Sequence, residues 1–426
     1  MHLILILIFV IGYAGIALEE LIKINKTATA LLTGVMCWVV YILGSDNKDL
    51  VAEQLYEHLG AISGILFFLL GAMTIVEIID AHYGFNTITS RIKTNKKRSL
   101  LWIIGIITFF LSAVLDNLTT TIVMVSLLRK IIADRHSRLL YIGMIIIAAN
   151  AGGAWTPIGD VTTTMLWIGG QITTLNIMRQ LFLPSLICLL IPLAILSFRL
   201  KGSVNIPSVD NSNQQNSIPI FEQNLILALG IGALIFVPVF KTFTHLPPFM
   251  GILFGVGILW VVTEILHKNK DAEQKDSFSV ISALRKADVP SVLFFLGILV
   301  AISALESTHV LSSLALAMED TIGNLNVIVL SIGLLSSIVD NVPLVAATMG
   351  MYDLQTYPTD HYFWVFIAYC AGTGGSCLII GSAAGVAAMG MERIDFIWYL
   401  KKITWLALLG YFAGAFFFIL QYYLLG

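Results

Sequence analysis

The chain has 426 residues, 58% of them hydrophobic and 12% charged, with a formal net charge of −2. Globular chains carry about 25% charged residues, so a soluble fold is excluded, and the charge balance offers no basic domain for nucleic acid. Cys37, Cys188, Cys370 and Cys377 sit inside apolar blocks with no close Cys or His spacing, and are expected to be core residues rather than disulfides or metal ligands.

Twelve apolar segments follow one another, several of them long enough to cross a hydrocarbon core of about 30 Å. None shows the strand alternation of an outer-membrane barrel, so the predicted elements are helices. Residues 3–18 lack the basic flank of a cleaved signal peptide and are expected to be the first transmembrane helix, followed by 27–43. The run 100–128 has basic residues at both ends and would extend roughly 43 Å as one straight helix. It is expected to turn back at its polar interruption, Asp116-Asn117 followed by Thr119, Thr120 and Thr121. The block 139–167 is interrupted by Asn150, Gly152, Gly153, Pro157, Gly159 and Asp160, which predicts a broken helix. After the span 177–198, a polar linker (199–219) separates two halves, and 267–288 is a charged loop with room for a short amphipathic helix. The acid-bounded stretch 322–352 predicts a second hairpin, 362–389 a second broken helix, and 403–425 the last span. Trp102, Trp364 and Trp405 are expected to anchor at the membrane interface.

Of the 24 basic residues, 21 fall on one side of these segments, and only Lys48, Arg179 and Lys241 on the other. The positive-inside rule makes the basic side cytoplasmic and places both termini outside. The first hairpin then enters from the cytoplasm and the second from outside.

The halves match at a nearly constant offset. Ser112 to Asn117 corresponds to Ser336 to Asn341, Trp38 to Trp260, Leu66 to Leu293, and Gly152, Gly153 and Gly159 to Gly374, Gly375 and Gly381. Combined with the charge-derived topology, the matched helices run in opposite directions. Inverted repeats with broken helices mark alternating-access transporters, whose substrate sites lie near the midplane. No nucleotide motif, phosphate-binding loop or metal-binding His pair is present, and no cofactor is expected.

Asp116 and Asp340 occupy corresponding hairpin tips, each followed by Asn, and no Lys or Arg lies inside any predicted span to neutralise them. A buried, unpaired carboxylate is costly, so each is expected to need a cation or a proton. The competing reading is a plain helix cap, which Ser or Asn would serve without the charge. The broken helix adds Asn150, Asp160, Thr162 and freed carbonyls, the oxygen donors that hard cations prefer. Its counterpart, with Ser376 and Ser382, has a serine where the first half has Asp160. Such glycine- and threonine-rich stretches also serve as helix-packing faces. Glu77, Asp80, Glu306, His82 and His309 are candidates for a proton route or pH sensing, or for side chains snorkelling to the interface.

Taken together, Gly71 to Glu77, Leu115 to Thr120, Asn150 to Asp160, Asp340 to Pro343 and Gly372 to Ser376 make the chain resemble the NhaD-type sodium/proton antiporters of the ion transporter superfamily. The resemblance implies an all-α, inner-membrane inverted-repeat transporter with two opposed re-entrant hairpins and two broken helices, divided into scaffold and transport domains and assembled as a homodimer. On that pattern, 1–60 and 221–288 supply scaffold helices, 61–176 and 289–390 transport elements, 177–220 the connection, and 391–426 the C-terminal helix. It further implies efflux of sodium or lithium driven by protons, the two contending for Asp116, Asp160 and Asp340. Asn117, Thr120, Asn150, Thr162, Asn341, Ser376 and Ser382 would complete the sodium shells. Dicarboxylate carriers of the same superfamily look similar but have Ser-Asn-Thr at their hairpin tips, where an aspartate would repel an anion. An intramembrane aspartyl protease would want a Gly-x-Gly-Asp turn, against Pro157-Ile158-Gly159-Asp160 here, and would leave Asp340 without a role.

Overall fold

A bilayer offers no water to unpaired backbone groups, so each apolar run closes its own hydrogen bonds as a helix. The computed structural model describes residues 1–89, 94–200, 202–203, 218–268 and 278–425, and among them the extended pairing is confined to one isolated bridge, Lys96 to Ser203. The first half holds α1 (His2–Ala17), α2 (Glu19–Ile22), α3 (Lys26–Leu43), α4 (Lys48–Ala81), α5 (Asn86–Thr89), α6 (Lys97–Leu115), α7 (Asn117–Ile131), α8 (Arg135–Gly153), α9 (Val161–Ile168) and α10 (Thr174–Arg199). The second holds α11 (Ile220–Thr244), α12 (Pro248–Leu266), α13 (Val280–Lys286), α14 (Val289–Ser307), α15 (Val310–Ile322), α16 (Leu325–Leu335), α17 (Asn341–Met351), α18 (Tyr362–Gly374), α19 (Ala383–Glu392), α20 (Phe396–Lys402) and α21 (Thr404–Leu425).

Eight helices among the described residues are long and apolar enough to cross a membrane, and α15 with α16, bent by 119° at their junction, would make a ninth. The chain is a multi-pass membrane protein. Polar side chains mark the helix starts, as where Asn25 accepts from Thr27 N, Asn47 from Leu50 N and Asp134 from Ser137 N. The main packing joins α3 to α14, with the Trp38 indole donating to Val300 O at 2.8 Å, and α10 to α21, while α4, α11 and α12 form a further group.

Several expectations meet particular elements. The run 100–128 breaks at Asp116 into α6 and α7, and α7 packs on α6. Yet α6, at 19 residues, is long enough to cross the membrane by itself. In 322–352, α16 and α17 have 11 residues each, and α17 packs on α14, α15, α9 and α18. α4 runs unbroken past residue 60 for 34 residues. A short helix does lie within 267–288, at α13, although Lys270 and Lys275 of that loop, like Arg91, Lys93, Lys201 and most of the polar linker, lie outside the described residues. The cysteines are free and buried. Trp364 corrects its assignment as an interface anchor: it is fully buried and donates to Tyr357 O at 2.7 Å, because the chain after α17 folds back over it.

Corresponding positions of the halves make corresponding contacts. Ser112 Oγ donates to Ala149 O at 2.6 Å, and Ser336 Oγ to Ala371 O at 3.1 Å. A Cβ on Gly152 would lie 2.2 Å from Phe109 O, and one on Gly374 2.0 Å from Gly333 O. At both places two helices, α8 on α6 and α18 on α16, lie directly against each other, an approach only glycine permits.

Candidate functional site

Four half-helices, α7, α9, α17 and α19, begin at Asp116, Asp160, Asp340 and Ser382, and each of these side chains accepts a hydrogen bond from its helix's first turn. Free N–H groups and the helix dipole make such ends electropositive, which explains why acids are tolerated there. Asp116 caps with both oxygens, Oδ1 accepting from Thr119 N at 2.8 Å and Oδ2 from Thr119 Oγ1 at 2.9 Å. Its backbone has φ 82° and ψ 160°, a region that glycine occupies almost alone. Asp340, at φ −45° and ψ 134°, carries no such strain.

The halves meet at Asp160, which is 1% exposed. Its Oδ1 caps α9 through Thr162 N at 3.0 Å, while Oδ2 accepts from Asn117 Nδ2 at 2.8 Å and from Asn341 Nδ2 at 3.4 Å. Asn117 and Asn341, the first residues of α7 and α17, thus share one carboxylate oxygen. Asn117 Nδ2 also donates to Asn150 Oδ1 at 2.9 Å, and Asn150 Nδ2 to Ser382 Oγ at 2.9 Å. Asn117, Asn150, Thr162, Asn341 and Ser382 are all buried around this centre. Thr120, one turn beyond Asn117, is buried with its hydroxyl unpartnered among the described residues. Ser376 stands apart: its hydroxyl donates to Thr373 O at 2.5 Å, turned toward its own helix end.

Among the described residues no basic side chain pairs with Asp116 or Asp160. Asp340 corrects the expectation that no base reaches the acids. Lys26 Nζ lies 3.4 Å from Asp340 Oδ2 and 4.5 Å from the centre of the Phe294 ring. Lys26 is the first residue of α3, and its four-carbon stem carries the ammonium from the helix end to a partner 314 residues away in sequence. Lys26 and Asp340 line two cavities in common, one with Asp116 and Asn117, the other with Tyr13 and Glu19.

The remaining candidates lie elsewhere. Glu77 and Asp80 are on the last turns of α4, the former half-buried and the latter exposed. Glu306 is near the end of α14, close to Gly350 of α17. His82 and His309, matched by sequence offset, differ in setting: His82 is fully buried and stacked on His267 at 5.2 Å, whereas His309 is exposed at the left-handed junction before α15. Lys26 escaped the sequence reading, although its place at the mouth of an apolar run was a usable signal. So did Glu392, which accepts from Arg129 Nε at 2.6 Å and Arg138 Nη2 at 3.0 Å, while Arg135 donates to its backbone carbonyl.

Comparison with known proteins adds independent findings. Residues 13–372 match the CitMHS family, described as citrate transporter. The chain is 52% identical over 409 residues to sodium/proton antiporter 1 of Arabidopsis thaliana, covering 96% of this chain and 70% of that protein. To sodium/proton antiporter 2 of the same plant it is 49% identical over 411 residues, covering 96% and 97%. To the Na(+)/H(+) antiporter NhaD of Vibrio cholerae it is 31% identical over 442 residues, covering 95% and 89%.

Proposed function

The chain belongs to the NhaD-type sodium/proton antiporter family, within the broader CitMHS group, and from that membership we propose that it exchanges sodium for protons across its membrane by alternating access. The observation that carries the mechanism is Asp160: a buried carboxylate, surrounded by neutral donors, on which Asn117 and Asn341 converge. Sodium and protons compete for Asp160 and Asp116. Occupied or protonated, the centre carries little net charge and can cross between faces; empty and ionised, it cannot.

Asp340 takes a different part from the other two acids. Lys26 supplies its counter-charge from α3, so this carboxylate needs no visiting ion while the pair is closed. Opening the pair frees Asp340 toward the cavity it shares with Asp116. The strained backbone at Asp116 supports its role too, since conformations of that kind persist where function requires them. The inverted-repeat layout, the inner-membrane location with both termini outside, lithium as a second substrate and a homodimeric assembly complete the proposal. They rest on the charge bias, the internal match and the family resemblance.

The test is exchange in proteoliposomes carrying an imposed pH gradient. Sodium, and more weakly lithium, is expected to dissipate the gradient, while potassium and calcium leave it intact, and Asp160→Asn and Asp116→Asn are expected to abolish the sodium response. Full sodium response in Asp160→Asn would overturn the mechanism. Anion carriage, which the family description raises, has against it two carboxylates and, among the described residues, a single base lining the cavity. Sodium-dependent citrate uptake into the same vesicles would favour it instead.

A further inference from the structure

Away from the exchange centre, three ligand-bearing side chains meet where α4, α11 and α12 come together. His82 terminates α4, His267 terminates α12, and Glu222 lies in the first turn of α11. His82 is 0%, His267 1% and Glu222 6% exposed. His267 Nε2 is 2.6 Å from Glu222 Oε1, and the imidazoles stack 5.2 Å apart with an 8° interplanar angle. One ligand atom from each of the three residues lies within 4.8 Å of the others.

The geometry points to a divalent transition-metal site built from His82, His267 and Glu222, of which zinc is the best-suited occupant. Two imidazoles and one carboxylate select zinc, cobalt or nickel over magnesium and calcium, which want more oxygen ligands. Bonds of about 2.0–2.2 Å at tetrahedral angles place ligand atoms roughly 3.3 Å apart. That separation lies between the 2.6 Å of the Glu222–His267 contact and the 4.8 Å outer bound, and because a metal bonds in the plane of each imidazole, loading turns one of the two rings out of the stack. The orienting contact is already made. His82 Nδ1 is 2.7 Å from Ile78 O, a backbone contact of the kind that orients metal-binding histidines. The Phe278 ring, 5.5 Å from His82 and 5.6 Å from His267, covers both imidazoles with an apolar wall.

A bound ion would tie together the ends of three helices that the basic-residue bias places on the cytoplasmic side. α4 also walls the exchange cavity, through Phe68, Leu69, Ala72 and Met73. The metal would therefore hold a wall helix without touching the transported ions, and its binding is independent of the exchange reading.

The experiment titrates cobalt(II) into full-length, chelator-stripped protein purified on a tag without histidines, following the visible absorption of the ion, then displaces it with zinc. One cobalt per chain with a low-symmetry nitrogen–oxygen spectrum, zinc displacement, and a zinc-dependent rise in melting temperature that magnesium and calcium do not produce are the expected results. His82→Gln and His267→Gln should weaken binding by about 100-fold or more and Glu222→Gln by about tenfold, while His136→Gln, at an exposed position, should bind as the parent. Monodisperse elution and a metal-free melting transition establish that each variant is folded. The absence of stoichiometric cobalt binding in the parent, or its undiminished retention in the folded His82→Gln/His267→Gln double variant, would overturn the site.

Discussion

Asp116 holds a backbone shape that its side chain opposes, and two substitutions separate the shape from the charge. Asp116→Asn keeps the strain and removes the charge, whereas Asp116→Gly relieves strain of about 1–3 kcal/mol and gives up a cap worth about 1 kcal/mol. Neither variant should exchange sodium, but the glycine variant should melt above the asparagine variant, which calorimetry can rank. Asn117 offers a graded test, since its amide donates to the Asp160 carboxylate. Losing one hydrogen bond to a charged acceptor costs the sodium-free centre about 1.5–3 kcal/mol, so at alkaline pH, where protons compete little, Asn117→Ala is expected to lower half-saturating sodium by up to roughly ten- to a hundredfold. Lys26→Met leaves Asp340 without its base. Because Lys26 is 25% exposed, the destabilisation should fall short of the roughly 3–5 kcal/mol of a fully buried pair. The double variant Lys26→Met/Asp340→Asn should recover most of the lost melting temperature.

At the scale of elements, the half-helices depend on contacts that only glycine and arginine supply. A methyl group at 374 would meet Gly333 O at 2.0 Å, so Gly374→Ala must push α18 off α16 and should lower stability by about 1–3 kcal/mol or more, read as a drop in melting temperature. Arg129 from the end of α7, with Arg135 and Arg138 from the start of α8, grips Glu392 or its carbonyl at the end of α19, where cations also oppose the helix dipole. Glu392→Gln is expected to loosen this join between the halves and to expose the α19 end to protease under native conditions. Much of this level was legible beforehand. Hydrophobic blocks announced helices, and Asp-Asn and Gly-Gly pairs announced where they break, because backbone interruption is a local property of the chain. The Lys26–Asp340 pair and the shared bond at Asp160 were not legible, because they join residues 314 and 181 positions apart. Neither periodicity nor composition carries such distances. Trp364 was misjudged for the same reason, since tryptophan type suggests an interface and only packing reveals a core.

For the whole molecule, competition between sodium and protons has a signature that does not depend on any single residue. Lowering pH on the sodium-binding side should raise half-saturating sodium, by up to about tenfold per pH unit for each proton displaced, with the maximal rate little changed. Proteoliposomes measured across a pH series would reveal it, and a fixed half-saturating concentration would contradict competition. The charge-derived topology is open to a separate check. Cysteines introduced at Ser45 and at Ser313, both in exposed contexts near helix ends, should both be labelled by an impermeant reagent from outside only, and labelling of either from the cytoplasmic face would overturn the topology.

One amide decides how the two halves differ. Asn150 presents its oxygen to Asn117 and its nitrogen to Ser382, so it has a polarity, pointing from one half toward the other across a frame that otherwise repeats. Ser382→Asp would make that frame even-handed and place a second anion beside the first. The molecule would then have to load one more positive charge before its centre was neutral, and the number of ions carried per turnover should rise. On this view the ion count of the parent protein is written in a missing acid.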